Sequence, residues 1–537
     1  MKLGYSLFKT LLPDMHSGNK LISILILILQ TAAASFSCSS TAAGSDAAQA
    51  DELLSFAVTQ RGDRIMDYSH AGYEGGGVAL PKVPVVETVS PQKGVTDYTD
   101  IIQAAIDRAG VLPFKDGFRG AVLLAAGDYP CSRELRLDRD GVVLRGSASA
   151  GKQRSRILMS GGKHTAVVAR KKDAKSLNMT RFNEPATRVT DSYVPFGSSG
   201  LTLESAAGFR KGDIVWIQKK VTQKWIEYMH MDDLWRDGKH EVWLPEGSWI
   251  TVERQVESVS GHTLRFTVPL ADSFDAQYTG DSTFVSPAPS GGDLVHHCGV
   301  ESLCIESPAQ AESHTTAKYY ALSINGEDCW AQDIRALETM ESIRATGKRI
   351  TLRKISVIRE ADHVGSSKPA EFAPNAAQIL MDSCYVKGNN IWYIGIGSRI
   401  FGPLVVLNSS FEGNGRIQGH MRWSTSFLMD NCKVPGGGID FINRGEMGSG
   451  HGWGTAWSVA WNCEAKDYIN QLPPGTFNWM VGCIGERKLS RRPFDKEGPM
   501  LEEGYFRDHG AHVLPHSLYL YQLERRCGKQ ALRAIGY

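Results

Sequence analysis

Residues 429–434 read Met-Asp-Asn-Cys-Lys-Val, and related segments occur at 381–386, 407–411 and 460–464. In each segment a short polar pair precedes a small residue, and residues typical of a β-strand follow. The small residue belongs to a series of eight positions at intervals of 25, 26, 29, 26, 22, 31 and 20 residues. The eight positions are Cys304, Cys329, Ile355, Cys384, Ser410, Cys432, Cys463 and Cys483. A repeat of about 20–50 residues indicates a solenoid, propeller or array.

The residues between these positions predict the kind of solenoid. Strand-type runs alternate with Gly, Asn and Asp turns, and amphipathic helical patterns are almost absent from the repeat. This favours an all-β fold, a right-handed parallel β-helix, over a helical solenoid. An amphipathic pattern at 98–109 predicts a helix that caps the open end of the β-helix core.

The same patterns predict the organisation of the whole chain. From the N-terminus we expect a signal peptide at 1–34, a flexible segment at 35–63, the cap and first β-helix coils at 64–194, an inserted antiparallel β-rich subdomain at 195–285, the main coils at 286–487, and a C-terminal tail with a capping helix at 488–537.

The first residues carry the parts of an export signal. Basic residues precede the apolar run 21–29, which is too short to span a bilayer, and an Ala-x-Ala site follows near Ala34. We expect a secreted or periplasmic protein without a transmembrane span. Attachment of a lipid to Cys38 is the alternative, although the three residues before it lack the usual Leu.

Charge and cysteine content narrow the classes of partner. Lys plus Arg is 59 and Asp plus Glu is 58, so the protein has no large net positive charge that would favour binding of nucleic acid. An anionic substrate therefore needs local basic groups. Six of the ten cysteines occupy repeat positions, which favours buried free thiols over a disulfide framework. No metal site or cofactor is predicted, although calcium held by separate coils stays open. We expect a monomer.

Several segments resemble the pectate-lyase-like superfamily of β-helix proteins. Residues 120–129 and 142–146 are similar to the opening of that fold, with Ala125 where the pattern has Pro. Segments 67–73, 419–425 and 448–463 resemble a group of bacterial exported proteins in the superfamily that are presumed to act on carbohydrates. The resemblance implies a β-helix fold and a polysaccharide as the partner.

Two arginines and two histidines between 419 and 452 form the core of a candidate site. Arg422 and Arg444 each follow a repeat position by 12 residues, so we expect their guanidinium groups to stack about 4.8 Å apart and to hold a carboxylate or sulfate. His420 shares a strand face with Arg422, and His451 lies in a glycine-bracketed loop.

The arginine pair has an alternative, structural interpretation. Glu412, Glu446 or Asp440 could neutralise it, which would make it a structural pair. Neighbouring coils add Tyr393 as a candidate proton donor. Candidate substrate-binding residues are His363, Lys387, Asn389, Trp392, Trp423 and Trp453.

These residue types suit a lyase that cleaves a uronic-acid polysaccharide by β-elimination. Such an enzyme neutralises the sugar carboxylate, removes the C5 proton and protonates the departing O4. We expect His420 as the base, Arg422 and Arg444 as neutralisers, and His451 or Tyr393 as the acid. A glycoside hydrolase needs two facing carboxyl groups, and no such pair stands out. A hydrolase and a non-catalytic glycan-binding β-helix are the alternatives.

Overall fold

The computed structural model describes residues 51–55, 57–147, 154–175, 177–289 and 293–537. The predicted signal peptide, its cleavage site near Ala34 and Cys38 lie outside these residues. Residues 54–537 form one compact unit. Within the described part of the chain, no helix is long and apolar enough to cross a membrane.

Parallel strands stacked coil upon coil form the main body. Its sheet contains 27 strands among the described residues, and each of its strand pairs is parallel. The strands are Val85–Val89, Gly120–Leu124, Gly127–Cys131, Leu135–Leu137, Val142–Gly146, Ser155–Met159, His164–Ala169, Val295–His296, Gly299–Glu301, Leu303–Glu306, Tyr319–Leu337, Ile343–Ile358, Ala370–Ala377, Ile379–Asp382, Tyr385–Lys387, Trp392–Ile396, Phe401–Leu407, Ser410–Glu412, Arg416–Gly419, Ser424–Asp430, Lys433–Phe441, Thr455–Ala456, Val459–Trp461, Glu464–Asn470, Trp479–Val481, Ile484–Arg487 and Tyr505–Arg507. These pairings show the predicted parallel β-solenoid; its right-handedness stays a prediction.

A bend with one recurring conformation sets the register between coils. At this bend a residue with positive φ precedes a small, buried, inward-facing residue. The bend pairs are Ser383–Cys384, Asn408–Ser409, Asn431–Cys432 and Asn462–Cys463. Asn tolerates positive φ better than most residues, and Asn431 also donates a side-chain hydrogen bond to Asn408 on the previous coil at 2.7 Å.

The inward small residues form a column that differs from the predicted one. Tyr385 pairs with Ser410 and Ser410 with Lys433, so the residue in line with Cys384 and Cys432 is Ser409 rather than Ser410. Cys304 pairs with Arg335 and lies outside the column. Cys329 belongs to a second column, where its thiol sulfur accepts a hydrogen bond from the Cys298 amide at 3.4 Å. Sequence intervals alone cannot detect such one-residue shifts.

The helix predicted near residue 98 spans Thr99–Gly110. Its buried residues Ile102, Ala105 and Ile106 join the same apolar core as the first strands of the solenoid. Further helical segments in the described ranges include a 3-10 turn at Tyr73–Gly75, a kinked turn at Met447–Gly450, and the helices Gln223–Tyr228, Ala276–Thr279, Leu518–Cys527 and Lys529–Ala534.

Antiparallel strands occupy the region predicted to break the repeat. The six-stranded sheet begins at Thr187 rather than at residue 195. Its strands are Thr187–Arg188, Gly200–Thr202, Ile214–Lys220, Trp249–Ser260, Thr263–Phe266 and Thr283–Pro287. Two further pairs join Tyr193–Val194 to Phe274–Asp275 and Trp235–Arg236 to Lys239–His240.

Asp63, the last residue of the segment predicted to be flexible, is held by hydrogen bonds. The Asp63 side chain is 2% exposed, and its carboxylate accepts hydrogen bonds from the Tyr193 hydroxyl and the Phe196 amide. A carboxylate buried in this way is tied to the antiparallel region that follows it in the chain.

We predict that native protein exposes one reactive thiol. Nine cysteines of the described residues are free, eight are buried and Cys527 is exposed. Burial raises the pKa of the Cys384 thiol to about 12, which suppresses its reactive thiolate. In a Cys38→Ser background, a thiol-reactive dye should label one site in native protein and eight more after denaturation without reductant. Fewer new thiols would mean that disulfides are present.

Candidate functional site

Three consecutive coils bring Trp392, His420 and Arg444 together. Trp392 begins the strand Trp392–Ile396, His420 follows Arg416–Gly419, and Arg444 follows Lys433–Phe441. The rings of Trp392 and His420 are 5.9 Å apart between centroids, and the Arg444 Cζ lies 5.3 Å from the Trp392 ring centroid. The His451 ring centroid is 5.0 Å from that of His420. We call these four residues the Arg444 cluster.

Arg444 is a buried cation without a carboxylate partner among the described residues. It is 5% exposed, and burial lowers its pKa to about 10. Its Nη1 donates to Nδ1 and to the carbonyl oxygen of His420, each at 2.8 Å, and its Nη2 meets only the Met447 sulfur at 3.5 Å. Nε is buried without a partner. An uncompensated buried charge costs several kcal/mol, so the geometry favours an anionic ligand here.

His420 takes a defined tautomer from this contact. A guanidinium only donates hydrogen bonds, so Nδ1 of His420 must accept, and the neutral ring carries its proton on Nε2. Burial, then the positive charge of Arg444, lowers the pKa of His420 to about 2. The ring is therefore neutral near pH 7 and presents an N–H. This geometry opposes the expected role of His420 as the base.

His451 has a ring nitrogen without a hydrogen-bond partner among the described residues. Its Nδ1 is buried without a hydrogen-bond partner, and burial followed by Arg444 and Arg422 lowers its pKa to about 4. The ring lies against the α-carbon of Gly448, where an added Cβ would stand 2.3 Å from Nε2. Gly448 also has a φ of 61°, a conformation that favours glycine. The contact with the ring and the positive φ therefore both require glycine at this position.

Lys368, His363 and His314 extend the cluster on one side. The Lys368 Nζ lies 5.3 Å from the Trp392 ring centroid, and burial, then Arg416, lowers the pKa of Lys368. The rings of His314 and His363 are 6.0 Å apart, and both ring nitrogens of His363 are buried without partners. Lys368 lies in the loop that follows Asp362 and His363, and His363 is a predicted substrate-binding residue. No sequence pattern indicated His314.

The expected stack of Arg422 on Arg444 is absent. The Arg422 Nε donates to the Gly450 carbonyl oxygen at 3.2 Å, and its Nη2 binds Ser449, whereas Arg444 reaches His420. The carboxylates expected to neutralise the pair are engaged elsewhere. Asp440 forms an ion pair with Arg416, and Glu446 lies 2.9 Å from Arg492.

Tyr393 belongs to the solenoid interior and not to the site. Its side chain is fully buried in the apolar core, and its hydroxyl accepts the Gly415 amide at 3.1 Å. Strand alternation explains the error, because adjacent residues Trp392 and Tyr393 point to opposite faces.

Two tryptophans expected to stack on sugar are structural. Trp423 is 1% exposed, packs on Trp225 and Trp243, and donates to Asp272 at 2.9 Å. Trp453 is buried, and its indole N–H donates to the Met229 carbonyl oxygen at 2.9 Å. Both join the coils to the antiparallel region.

Lys387 and Asn389 lie on the outer turns of the coils. Lys387 forms an ion pair of 2.7 Å with Glu360. The Asn389 side-chain oxygen accepts the Asn414 amide at 3.3 Å. Each side chain already has a partner, so neither offers a free group to the Arg444 cluster.

A separate cavity of about 540 Å³ lies between the coils, the segment 70–75 and the antiparallel sheet. Its cations are satisfied within the protein: Arg349 binds Asp328, Lys348 binds Glu253, and Arg254 donates to three carbonyl oxygens. In the described ranges, no three His, Cys, Asp or Glu side chains are grouped so that they could hold a metal ion.

Comparisons with known proteins return structures of low similarity. No protein-family model matches the chain, and no curated protein matches its sequence. Similar solved structures include the tailspike protein gp49 of Pseudomonas phage LKA1, at TM-score 0.34 and 13% identity over 72% of this chain. The chain covers 56% of that tailspike's length.

Two further structures are similar to this chain. The Gp54 tailspike of Acinetobacter baumannii bacteriophage AP22, solved with a capsular saccharide, has TM-score 0.24 and 11% identity over 78% of this chain and 73% of its own. The A-module of the Azotobacter vinelandii mannuronan C-5 epimerase AlgE4 has TM-score 0.27 and 11% identity over 74% of this chain and 95% of its own. Because these TM-scores are low, the assignment of the fold rests on the strand pairings described above and not on the similar structures.

We predict that His420 and His451 stay neutral between about pH 5 and 8. Histidine NMR should show that the rings of His420 and His451 do not titrate in this range. Arg444→Gln should raise the pKa of both rings, because the variant removes a neighbouring positive charge. The exposed Arg108→Gln is the matched control and should leave both unchanged. If His420 or His451 titrates near about 6.5 in the wild type, the electrostatic account of the cluster is wrong.

Proposed function

We propose that this protein is a lyase that cleaves a uronic-acid-containing polysaccharide by β-elimination at the Arg444 cluster. The observation that carries the proposal is the buried Arg444 guanidinium, which has no carboxylate partner among the described residues. A uronate carboxylate has the charge and planar shape that a guanidinium binds best.

Arg444 has two roles in the proposed reaction. It neutralises the substrate carboxylate, which makes the neighbouring C5 proton more acidic. It also stabilises the negative charge that develops on the carboxylate oxygens as that proton leaves. Because Arg444 is already buried and fixed by His420, little reorganisation is needed when charge develops.

His451 removes the C5 proton. Its low pKa in the free protein keeps it unprotonated at neutral pH, so the basic form is present before substrate arrives. A bound carboxylate offsets the positive field of Arg444 and Arg422 and thereby raises the pKa of His451 towards the working pH. A base is most effective when its pKa lies near that pH.

His420 presents its Nε2–H to the departing O4. A neutral imidazole can act as such a hydrogen-bond donor when a neighbouring group fixes its tautomer. The electron pair of the broken C5–H bond forms the C4–C5 double bond and the C4–O4 bond breaks. O4, hydrogen-bonded to the His420 Nε2–H, takes the proton that His451 removed from C5, and His451 returns to its neutral form. Trp392 provides an aromatic wall beside these groups.

The same contacts count against a hydrolase at this site. A hydrolase needs two carboxyl groups about 5–10 Å apart. Asp440, whose charge acts on Arg444, forms an ion pair with Arg416, and so does Asp467. Non-catalytic glycan binding shares the anion site with a lyase and differs only in turnover, so an activity assay separates the two.

An exported location suits a polysaccharide substrate. The predicted signal peptide supports secretion to the periplasm or the medium, and lipid attachment at Cys38 would keep the protein at a membrane surface. Mass spectrometry of the mature N-terminus distinguishes the two.

The proposal predicts unsaturated uronate products from at least one polymer in a panel of uronic-acid polysaccharides. The conjugated double bond absorbs ultraviolet light, and reducing ends are measured in parallel, with calcium and with a chelator. His451→Gln should lower turnover by about 100-fold or more, in line with loss of a general base. His512→Gln, on the C-terminal tail, is the matched control.

The outcomes separate the candidate functions. New reducing ends without ultraviolet absorbance would contradict the lyase and favour a hydrolase. Binding without either product would leave a glycan-binding β-helix. Full activity in folded His451→Gln would remove His451 from the mechanism.

A further inference from the structure

Arg399 and Arg422 occupy neighbouring coils in register. The Arg399 amide donates to the Arg422 carbonyl oxygen at 3.1 Å, and the Arg422 amide donates to the His451 carbonyl oxygen at 3.1 Å. Both arginines have positive φ, 57° and 53°. Because equivalent positions of parallel coils stack about 4.8 Å apart, the two side chains leave the backbone side by side. The sequence predicts a stacked arginine pair, but with the wrong partner for Arg422.

This pair has no carboxylate within ion-pair distance in the described part of the chain. Arg422 is held by the carbonyl oxygen of Gly450 at 3.2 Å and by Ser449. The Arg399 guanidinium is half-buried, makes no hydrogen bond among the described residues, and has a buried Nη1 without a partner. Burial, followed by the charge of Arg422, lowers the pKa of Arg399.

Two like charges on adjacent coils repel each other unless an anion lies between them. Glu241 is the carboxylate that attracts Arg422, and Lys239 already lies 3.3 Å from it. Glu241 offsets part of the Arg422 charge, whereas Arg399 has free donors and no carboxylate partner among the described residues. A planar carboxylate is a group that the free Arg399 guanidinium and the remaining Nη1 of Arg422 can hold together.

The pair adjoins the Arg444 cluster. One backbone hydrogen bond joins Arg422 to His451, and His451 lies in the positive fields of both Arg422 and Arg444. His451 thus lies close to two separate cationic positions, Arg422 and Arg444. A polymer that places one carboxylate at Arg444 would continue past His451 towards Arg399.

We propose that Arg399 and Arg422 form a second anion subsite, which binds the carboxylate of a neighbouring sugar residue in the same substrate chain. This inference rests on the proposed function and narrows its substrate to polymers with uronates close together along the chain. A polymer with isolated uronates would fill only the Arg444 position.

The test measures binding of uronate monosaccharides and trisaccharides to the full chain by calorimetry, with galacturonate, mannuronate, guluronate and glucuronate as probes. Arg399→Gln should weaken binding of the preferred trisaccharide by about 10- to 100-fold, the cost of losing a charged hydrogen bond. It should leave the monosaccharide unchanged. Arg444→Gln should weaken both, and Arg108→Gln neither. Thermal unfolding confirms that each variant is folded.

Equal trisaccharide affinity in wild type and Arg399→Gln would overturn the subsite, as would the absence of trisaccharide binding to the wild type. Arg399→Lys, which keeps the charge and loses the fork, should recover part of the affinity. The ultraviolet assay tests the lyase separately from the subsite. Trisaccharide binding that depends on Arg399, without unsaturated product, would support the subsite and contradict the lyase.

Discussion

Hydrogen bonding between parallel coils is the constraint on which the other features depend. Each coil passes a bend where a residue with positive φ turns the chain and the next small residue enters the core. The thiols of this column donate to carbonyl oxygens of the preceding coil, as Cys432 does to Val406 at 3.3 Å and Cys463 does to Met429 at 3.4 Å. A larger side chain in place of Cys432 or Cys463 would overpack this part of the core. The fixed register also decides which outward-facing residues meet.

The Arg444 cluster uses that register to hold like charges near each other. Arg444, Arg422 and Lys368 act on the neighbouring histidines and form no ion pair among the described residues, while nearby Arg416 takes both Asp440 and Asp467. Unpaired, partly buried cations destabilise the free protein, and only the rigid stacking of coils keeps them in place. Such a cost is typical of a site built for a ligand, because the bound anion supplies the missing charge.

The sequence predicted the architecture well because the repeat is local and recurs many times. Strands Gly120–Leu124 and Val142–Gly146 lie in the two segments that resemble the opening of a β-helix, since each is a short apolar run between turns. The sequence did not predict the exact register between the coils. Coils differ in length by several residues, so the interval from Ser410 to Cys432 suggested an Arg422–Arg444 stack, whereas backbone hydrogen bonds place Arg399 beside Arg422. His420, His451 and Trp392 were found from residue type, and Tyr393 was misplaced by the alternation of its strand.

The most direct test of the account is a crystal structure of the protein with a bound uronate trisaccharide. We predict a sugar carboxylate within hydrogen-bond distance of the Arg444 guanidinium, with His451 against C5 of the same residue and a second carboxylate near Arg399. A trisaccharide seated instead in the 540 Å³ cavity beside Asp328 and Arg349 would contradict the central claim that the unpaired Arg444 marks the site.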